Sequence, residues 1–295
     1  GHVVVGTLRP GEECDLEDAR LLTTPLNGTE EISRILADAR PDAVIHLAAQ
    51  SNPGASWDIP RDTFDSNAGL TAELMVAAAG MENKPRILLV SSSDVYGVPR
   101  PEEMPIEETR TPAPANPYSV SKVAAEQVAR LYADKFAVPL TIARPFSHTG
   151  PGQSTRFVVP AFAHQIAAIE AGEKDALEHG DLQASRDFTD VRDIVRAYRL
   201  MVEQDAPSPI YNICSGKSVT IRSILEKLCA LSTHSVEAHP EAARIRGDKS
   251  QDIRGSATLI DQDLGWKPRI SLEQTLQDVL DHQRAEIEAR SSKSS

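Results

Sequence analysis

The first half of the chain alternates short apolar runs with longer amphipathic stretches. Four continuous apolar runs have the length of buried strands: Val3 to Leu8, Ala43 to Leu47, Arg86 to Val90 and Leu140 to Ala143. Three other stretches carry apolar residues at helical spacing: Gly28 to Arg40, Arg61 to Ala79 and Asn116 to Phe136. Apolar runs without two-residue alternation fit strands that are buried on both faces. Strands that alternate with helices predict an α/β fold with a doubly wound parallel sheet.

Beyond Gly150 this alternation becomes less regular. Helical spacing continues in four stretches: Phe157 to Ala171, Val191 to Glu203, Ile221 to Leu231 and Leu272 to Ile287. Between them, Ile210 to Ile213 has the composition of a strand. We predict an amino-terminal domain over residues 1–150, a smaller carboxyl-terminal α/β lobe over residues 151–290 and a disordered tail over residues 291–295.

Composition restricts the classes of partner. The 295 residues carry 31 Lys and Arg against 43 Asp and Glu, and the net charge of −12 disfavours nucleic acid or an anionic membrane as a partner. No apolar run reaches the roughly 18 residues of a membrane span. Three cysteines, far apart and without metal-ligand spacing, favour a reducing compartment. We therefore expect a cytoplasmic protein without a metal site.

A tyrosine and a lysine four residues apart open the third helical stretch. This spacing places Tyr118 and Lys122 one turn apart on the same helix face. A phenol keeps its proton to about pH 10, but a fixed ammonium nearby favours the phenolate and lowers the pKa. The pair could therefore exchange a proton with a substrate oxygen near neutral pH. By itself the spacing also fits an exposed tyrosine and a solvated lysine.

A serine-rich segment follows the third apolar run. Ser91 to Gly97 comes directly after Arg86 to Val90, and ligands of open α/β sheets bind beyond the carboxyl ends of strands. A hydroxyl there could donate to a substrate carbonyl, although an ordinary serine-rich turn has the same composition. With Tyr118 and Lys122, the segment predicts a Ser/Tyr/Lys triad.

Further motifs accompany the triad in a fixed order. They are Val44 to Gln50, Ala143 to Phe146, Arg186 to Asp193, Tyr211 to Gly216 and Gly265 to Pro268. With the triad, they resemble the extended short-chain dehydrogenases/reductases that act as nucleotide-sugar epimerases, dehydratases and reductases. The resemblance implies a Rossmann-like fold in which residues 1–150 bind a dinucleotide and residues 151–290 bind a nucleotide sugar. The segment Arg144 to Gln153 further resembles the reductases that convert GDP-4-keto-6-deoxy-D-mannose into GDP-D-rhamnose.

The resemblance also implies roles for individual residues. The catalytic residues would be Ser92, Tyr118 and Lys122, with Tyr118 as the proton donor to the C4 carbonyl oxygen. The cofactor would contact Arg9, Ala48, Ala49, Tyr118, Lys122, Pro145 and His148. The GDP-sugar would contact Ser93, Asp94, Ser147, Val158, Arg186 and Arg246, where the two guanidinium groups suit the diphosphate. An isolated arginine is more often a surface cation, and Val158 fits plain core packing equally well.

The end of the first apolar run bears on the choice of cofactor. Members of this family that prefer NAD usually end the second strand with an acid that binds the ribose 2′-hydroxyl. Here Thr7-Leu8-Arg9 contains no acid, and Arg9 could accept a 2′-phosphate. We therefore expect NADP, with NAD as the alternative.

The chain departs from the family pattern at several points. The family's first strand and its glycine-rich pyrophosphate turn do not precede Val3, so we expect that an upstream segment is missing. Ser147 stands where Asn is usual, His164 where reductases often have Lys, and Asn27 where Asp is usual beside adenine.

Other activities remain compatible with these motifs. A 4,6-dehydratase needs an acid and a base, and Ser92-Ser93-Asp94 supplies one carboxylate; a 4-epimerase needs only the triad and a retained NAD. A binding protein without catalysis is the alternative from another class. In this family, helices equivalent to residues 61–79 and 116–136 pair across a two-fold axis, so we expect a homodimer.

Overall fold

The computed structural model describes residues 1–12, 14, 16–26, 28–204, 206–241 and 252–293. The chain divides into two compact units. The first comprises Gly1–Ser91 and Pro114–Ile142, and the second comprises Ser92–Ala113 and Ala143–Ser295. Neither is a single continuous segment, because the chain leaves the first unit after Ser91 and returns at Pro114. The predicted division into a dinucleotide-binding domain over residues 1–150 and a nucleotide-sugar-binding lobe over residues 151–290 stays a prediction.

Parallel strands form the centre of the first unit. β1 (Val4–Leu8) pairs in parallel with β2 (Ala19–Thr23). β3 (Ala43–His46) pairs in parallel with β4 (Arg86–Val90), and β4 lies beside β5 (Leu140–Pro145), whose last three residues belong to the second unit. The sequence pattern located four of these strands and missed β2, none of whose side chains is fully buried.

The first unit also contains helices. They are α1 (Thr29–Ala39), α2 (Pro60–Phe64), α3 (Leu70–Ala79) and α4 (Pro117–Phe136), and a π-helical turn (Asp65–Gly69) joins α2 to α3. β4 is buried on both faces, as its composition predicts, with Ile87, Leu88 and Leu89 almost fully shielded from solvent. β3 departs from this expectation, because Ile45 is 40% exposed. Successive side chains of a strand point to opposite faces, so one face of β3 is open.

The second unit is built on several short strands. β8 (Ser185–Asp187) lies between β11 (Ser218–Thr220), which is antiparallel to it, and β13 (Asp252–Ile253), which is parallel to it. Three further strand pairs occur in the described part of this unit. They are β6 (His148–Thr149) with β9 (Thr189–Asp190), β7 (Leu177–His179) with β12 (Ala238–Pro240), and β10 (Ile210–Ile213) with the end of β5. Sequence analysis predicted only β10 and the end of β5, because strands of two or three residues are too short to show a periodicity.

Among the described residues of the second unit, five α-helices surround the core. They are α5 (Val158–Glu170), α6 (Val191–Glu203), α7 (Ile221–Ala230), α8 (Thr258–Leu264) and α9 (Leu272–Lys293). α5, α7 and α9 contribute most of one apolar cluster, which includes Phe162, Ile166, Leu228 and Leu280. α9 runs past Ser291, where the sequence predicts a disordered tail, and ends at Lys293. No helix among the described residues is long and apolar enough to cross a membrane.

A half-buried ion pair connects α5 to α9, and we expect it to make the stability of this unit depend on pH. Arg284 donates to both carboxylate oxygens of Glu170, at 2.7 and 2.8 Å, and Thr233 N donates to the same carboxylate. The Arg284 hydrogen bonds are the main cause that lowers the pKa of Glu170 to about 2.

We expect Glu170→Gln to reduce the free energy of unfolding at pH 7 by on the order of 2–3 kcal/mol. A carboxyl group with a lowered folded-state pKa contributes stability above its usual pKa of 4.5 and loses it as pH falls toward about 2. The difference between the two proteins should therefore shrink steadily between pH 4.5 and pH 2. Urea unfolding at pH 7, 5, 4 and 3 measures it, and a difference independent of pH would contradict the assignment.

Candidate functional site

The start of α4 is set by a cap that the sequence encodes. Asn116 precedes Pro117, and its side chain accepts a hydrogen bond from Ser119 N at 2.8 Å. Ser119 Oγ in turn lies 3.1 Å from Asn116 N, which completes a capping box. The cap fixes the first turn of α4, and with it the position of Tyr118.

Tyr118 and Lys122 lie together on the buried face of α4, as their spacing predicts. Tyr118 is 7% exposed, and Lys122 Nζ is 5.9 Å from the centre of its ring. Lys122 Nζ donates to Val90 O at the carboxyl end of β4, at 2.9 Å. An ammonium group has three N–H donors, so Lys122 retains hydrogen-bonding capacity for a further partner such as a ribose hydroxyl.

Burial changes the proton affinity of the groups around Lys122. Burial lowers the pKa of Lys122 to about 8, and the charge of Glu126 partly opposes that fall. His46, at the end of β3, has its pKa lowered to about 4 by burial and by the charge of Lys122. His46 is therefore neutral at pH 7, whereas Lys122 is still mostly a cation at that pH.

Two buried residues that sequence analysis missed fix the backbone of this turn. Ser56 Oγ accepts from Tyr118 N at 3.2 Å. Asn67, in the π-helical turn, donates to Ser121 Oγ at 2.8 Å and to Gln50 O at 3.1 Å, and accepts from Gln50 N at 2.8 Å. Asn67 therefore connects α4 to the loop after β3. The sequence offered one signal for Asn67, namely an asparagine inside a helical stretch. Asn is a weak helix former, and irregular π-helical turns often occur at functional sites.

Arg9 and Ala49 meet where β1 and β3 end. Arg9 lies just beyond β1, and its guanidinium nitrogen is 3.5 Å from Ala49 O. Ala48 and Ala49 are half-buried, whereas Arg9 is exposed. Carboxyl ends of parallel strands are where α/β sheets bind nucleotides, and a guanidinium group suits a phosphate. These residues, with the donors left on Lys122, fit a phosphorylated dinucleotide.

In the second unit, the predicted catalytic serine caps a short turn. Ser92 precedes a 3-10 turn (Ser93–Tyr96), and its Oγ accepts from Asp94 N at 3.1 Å. The turn ends at Gly97, whose φ of 67° only glycine adopts without strain. A side chain at Gly97 would also collide with the carbonyl oxygen of Ala113. The tight turn is therefore a reason for glycine at this position.

A polar cavity of the second unit brings together four of the predicted substrate-binding residues, Ser93, Asp94, Ser147 and Arg186. Burial raises the pKa of Asp94, and the positive charge of Arg186 opposes that rise. The cavity is therefore lined by two carboxyl groups, Asp94 and Asp187, and by one guanidinium group, along with serine hydroxyls.

Asp187 fixes the loops beside this cavity. One carboxylate oxygen accepts from Ser215 N at 2.8 Å and from Ser215 Oγ at 2.5 Å. The other accepts from Gly216 N at 2.9 Å and Gly255 N at 3.2 Å. Asp187 follows Arg186 in β8, so these four hydrogen bonds also hold the strand from which Arg186 extends.

A second buried polar network supports the turn that carries Asp94. Arg144 donates to Tyr96 Oη at 3.0 Å, and Tyr96 Oη donates to Asn212 Oδ1 at 2.7 Å. Asn212 N donates to Glu108 at 2.7 Å, and Arg144 lies over the Tyr96 ring. Buried polar groups that satisfy one another specify one arrangement, so this network holds Tyr96 and the turn before it.

The remaining predicted residues lie in varied surroundings. Pro145 is buried at the end of β5, and His148 Nδ1 lies 2.9 Å from Phe146 O. Val158 begins α5 and packs against the apolar cluster of the second unit. His164 bonds Gln283 between α5 and α9, at 3.0 Å. Arg246 and Asn27 lie outside the described residues.

The described part of the chain contains no group of three or more His, Cys, Asp or Glu side chains that could bind a metal ion.

Comparison with known proteins identifies the group to which these arrangements belong. The family model of GDP-mannose 4,6 dehydratase matches residues 8–279. GDP-6-deoxy-D-mannose reductase of Pseudomonas aeruginosa is 37% identical over 241 residues, which cover 81% of this chain and 79% of the reductase. GDP-mannose 4,6-dehydratase of Yersinia enterocolitica is 26% identical, with 86% of this chain and 76% of that enzyme covered.

A solved structure agrees with this relationship. RMD from Pseudomonas aeruginosa, complexed with NADPH, superposes with a TM-score of 0.84 at 31% identity, and the match covers 96% of this chain and all of that chain. The predicted fold class, an α/β Rossmann-like fold with parallel sheets, is confirmed. The predicted family is confirmed as well, and the chain belongs to the GDP-mannose 4,6-dehydratase family.

Proposed function

We propose that the protein reduces the 4-keto group of GDP-4-dehydro-6-deoxy-D-mannose and so forms GDP-D-rhamnose, with NADPH as the hydride donor. The observation that carries the proposal is the buried Tyr118–Lys122 pair in a chain that is 37% identical to a GDP-6-deoxy-D-mannose reductase. The matching structure of RMD contains NADPH, and Arg9 gives this chain a cation suited to a 2′-phosphate.

When bound, NADPH would supply the hydride for C4 of the sugar. Tyr118 donates its phenolic proton to the C4 oxygen as negative charge develops there. Lys122, held by Val90 O, stabilises the phenolate that remains and binds the nicotinamide ribose through its other N–H donors. Ser92 donates a hydrogen bond to the same C4 oxygen. Ala48, Ala49, Pro145 and His148 contact the cofactor.

The polar cavity of the second unit receives the substrate. Arg186 binds the diphosphate, because a planar guanidinium group forms paired hydrogen bonds with phosphate oxygens. Ser93, Asp94 and Ser147 bind sugar hydroxyls from the same cavity. Val158 and Arg246 complete the proposed contacts with the nucleotide.

Dehydration of GDP-mannose is the second candidate, and Asp94 is the observation that favours it. Its pKa is raised by burial, so the carboxyl group is better able to carry a proton at neutral pH. A dehydratase must remove one proton and return another, whereas Ser92-Ser93-Asp94 provides one carboxyl group. The lower identity to the dehydratases also favours reduction.

Isotope transfer separates the candidates. The protein is incubated with GDP-4-dehydro-6-deoxy-D-mannose and NADPH that carries deuterium at C4 of the nicotinamide, and the sugar product is analysed by NMR. We expect GDP-D-rhamnose with deuterium at its C4. In a parallel incubation with GDP-mannose and NADP⁺, a 4-keto-6-deoxy sugar would support dehydration instead. No change in either incubation would leave binding without catalysis as the function.

A homodimer is part of the proposal. The helices predicted to pair carry exposed apolar side chains in the first unit, which are Phe64, Val76, Val120, Leu131 and Phe136. Such side chains on adjacent helices suit the four-helix contact of a two-fold dimer.

We expect Leu131→Glu to convert the dimer into a monomer without unfolding the chain, because Leu131 is 68% exposed and lies on α4. Light scattering at micromolar concentration measures the change. Val195→Glu is the matched control, since Val195 is 56% exposed on α6, and it should stay dimeric. A monomeric parent protein would contradict the proposal.

The proposal places the reaction in the cytoplasm. Cys14, Cys214 and Cys229 are all free thiols, which fits a reducing compartment.

A further inference from the structure

A third ionisable side chain lies one turn beyond Lys122 on the same face of α4. Glu126 is 1% exposed, and the four-residue steps from Tyr118 to Lys122 and from Lys122 to Glu126 align the three side chains. A carboxylate removed from water to this degree is costly unless partners stabilise it. None of the roles assigned above uses Glu126.

Glu126 and Lys122 both bind the carboxyl end of β4. Ser91 Oγ donates to Glu126 Oε1 at 2.6 Å, and Lys122 Nζ donates to Val90 O at 2.9 Å. Two successive turns of α4 therefore hold two successive residues of the chain just before Ser92. A hydrogen bond to a carboxylate is stronger than one between neutral groups, so the Ser91 contact is a firm link.

We propose that Glu126 is a positioning residue for proton transfer: its buried carboxylate keeps Lys122 charged and ties α4 to the end of β4. The inference deepens the proposed function, because a charged Lys122 is what stabilises the Tyr118 phenolate. It does not depend on which sugar is reduced.

The charges around Lys122 support this role. Burial lowers the pKa of Lys122 to about 8, and Glu126 is the carboxylate that opposes the fall. His46, which faces Lys122 from β3, has its pKa lowered to about 4 and adds no charge at pH 7. Arg130 is the next cation along α4, one turn beyond Glu126. Without the Glu126 carboxylate, Lys122 would lose its proton at a lower pH.

Glu126→Gln tests the proposal in the full chain. Glutamine keeps the shape and an oxygen for Ser91 but removes the charge. The chain is labelled with ¹³C at lysine Cε, and the Lys122 signal is assigned from its loss in Lys122→Arg. We expect the Lys122 pKa, read from this signal, to fall by about one unit. In the reductase assay, the alkaline limb of kcat/KM should move to lower pH by a similar amount.

Two matched variants separate charge from packing. Asp134→Asn removes a charge from an exposed position on α4 and should leave the Lys122 pKa and the activity unchanged. Ser91→Ala removes the hydrogen bond and keeps the carboxylate, so it should lower the melting temperature while the Lys122 pKa stays near that of the parent. The titration needs no substrate. It therefore reports on Glu126 even if the protein does not form GDP-D-rhamnose.

The proposal is overturned if Glu126→Gln leaves the Lys122 pKa where it was, or if Asp134→Asn lowers it equally. Should the glutamine variant not fold, Glu126→Asp keeps the charge but shortens the side chain. It is expected to lower the Lys122 pKa by a smaller amount. An unchanged pKa in the variant that folds would show that Glu126 serves packing alone.

Discussion

Tyr118→Phe should fold like the parent protein and reduce the GDP-sugar roughly 10²–10⁴-fold more slowly, the usual contribution of a positioned general acid. Phenylalanine keeps the ring, which accounts for most of the buried volume at this position. It removes the hydroxyl that would deliver the proton to the C4 oxygen. Single-turnover reduction with saturating NADPH measures the chemical step, and the melting temperature reports on the fold.

Tyr132→Phe provides the control for this substitution. Tyr132 lies on the same helix, and its ring contacts Phe136 at a centroid distance of 5.6 Å. Removing its hydroxyl should leave the rate near that of the parent. Equal rates in Tyr118→Phe and Tyr132→Phe would remove Tyr118 from the proposed chemistry.

Arg186→Gln should raise the KM for the GDP-sugar by roughly 10- to 100-fold and leave the Kd for NADPH unchanged. Hydrogen bonds between a charged guanidinium group and a charged acceptor contribute about 1.5–3 kcal/mol, which corresponds to a change of that size. Arg186 lines the polar cavity of the second unit, together with Asp94. The substitution removes the guanidinium group that would bind the substrate diphosphate, and it leaves the residues that would bind the cofactor unchanged.

Arg199→Gln is the matched control, because Arg199 is an exposed arginine of α6 that pairs with Glu203. It removes the same charge from the same unit and should leave both constants unchanged. A KM that stays the same in Arg186→Gln, or a loss of NADPH affinity instead, would exclude Arg186 as the diphosphate ligand.

The buried networks around α4 could not be derived from the sequence, since their partners are distant along the chain. The hydrogen bond between Asn67 and Ser121 joins residues 54 positions apart in the sequence. The hydrogen bond between Ser56 and Tyr118 N joins residues 62 positions apart, and the one between Ser91 and Glu126 joins residues 35 positions apart. Each residue taken by itself resembles an ordinary polar residue of a loop or helix. Sequence patterns carry information about neighbours within a turn or two, and these contacts depend on how α4 packs against β4 and α3.

Most strands of the second unit could not be predicted from the sequence pattern either. The sequence predicts Arg186 as a ligand through the resemblance, but its strand β8 is three residues long and has no periodicity of its own. Asp187, which holds that strand through four hydrogen bonds, was seen only as part of a motif. Its buried environment, which raises its pKa, exists only once the loops around Ser215 and Gly255 have come together.

The sequence by itself determined the α/β class, the helices around Tyr118 and the shared face of Tyr118 and Lys122. These features follow from local periodicity and from a cap within four residues, Asn116 to Ser119. Only the tertiary structure shows that this face of α4 is buried and that the buried face includes Glu126. The fall in the pKa of Lys122 to about 8 likewise results from the folded structure. Proton affinity depends on burial and on charges brought near by folding, and neither is a property of the residues in sequence order.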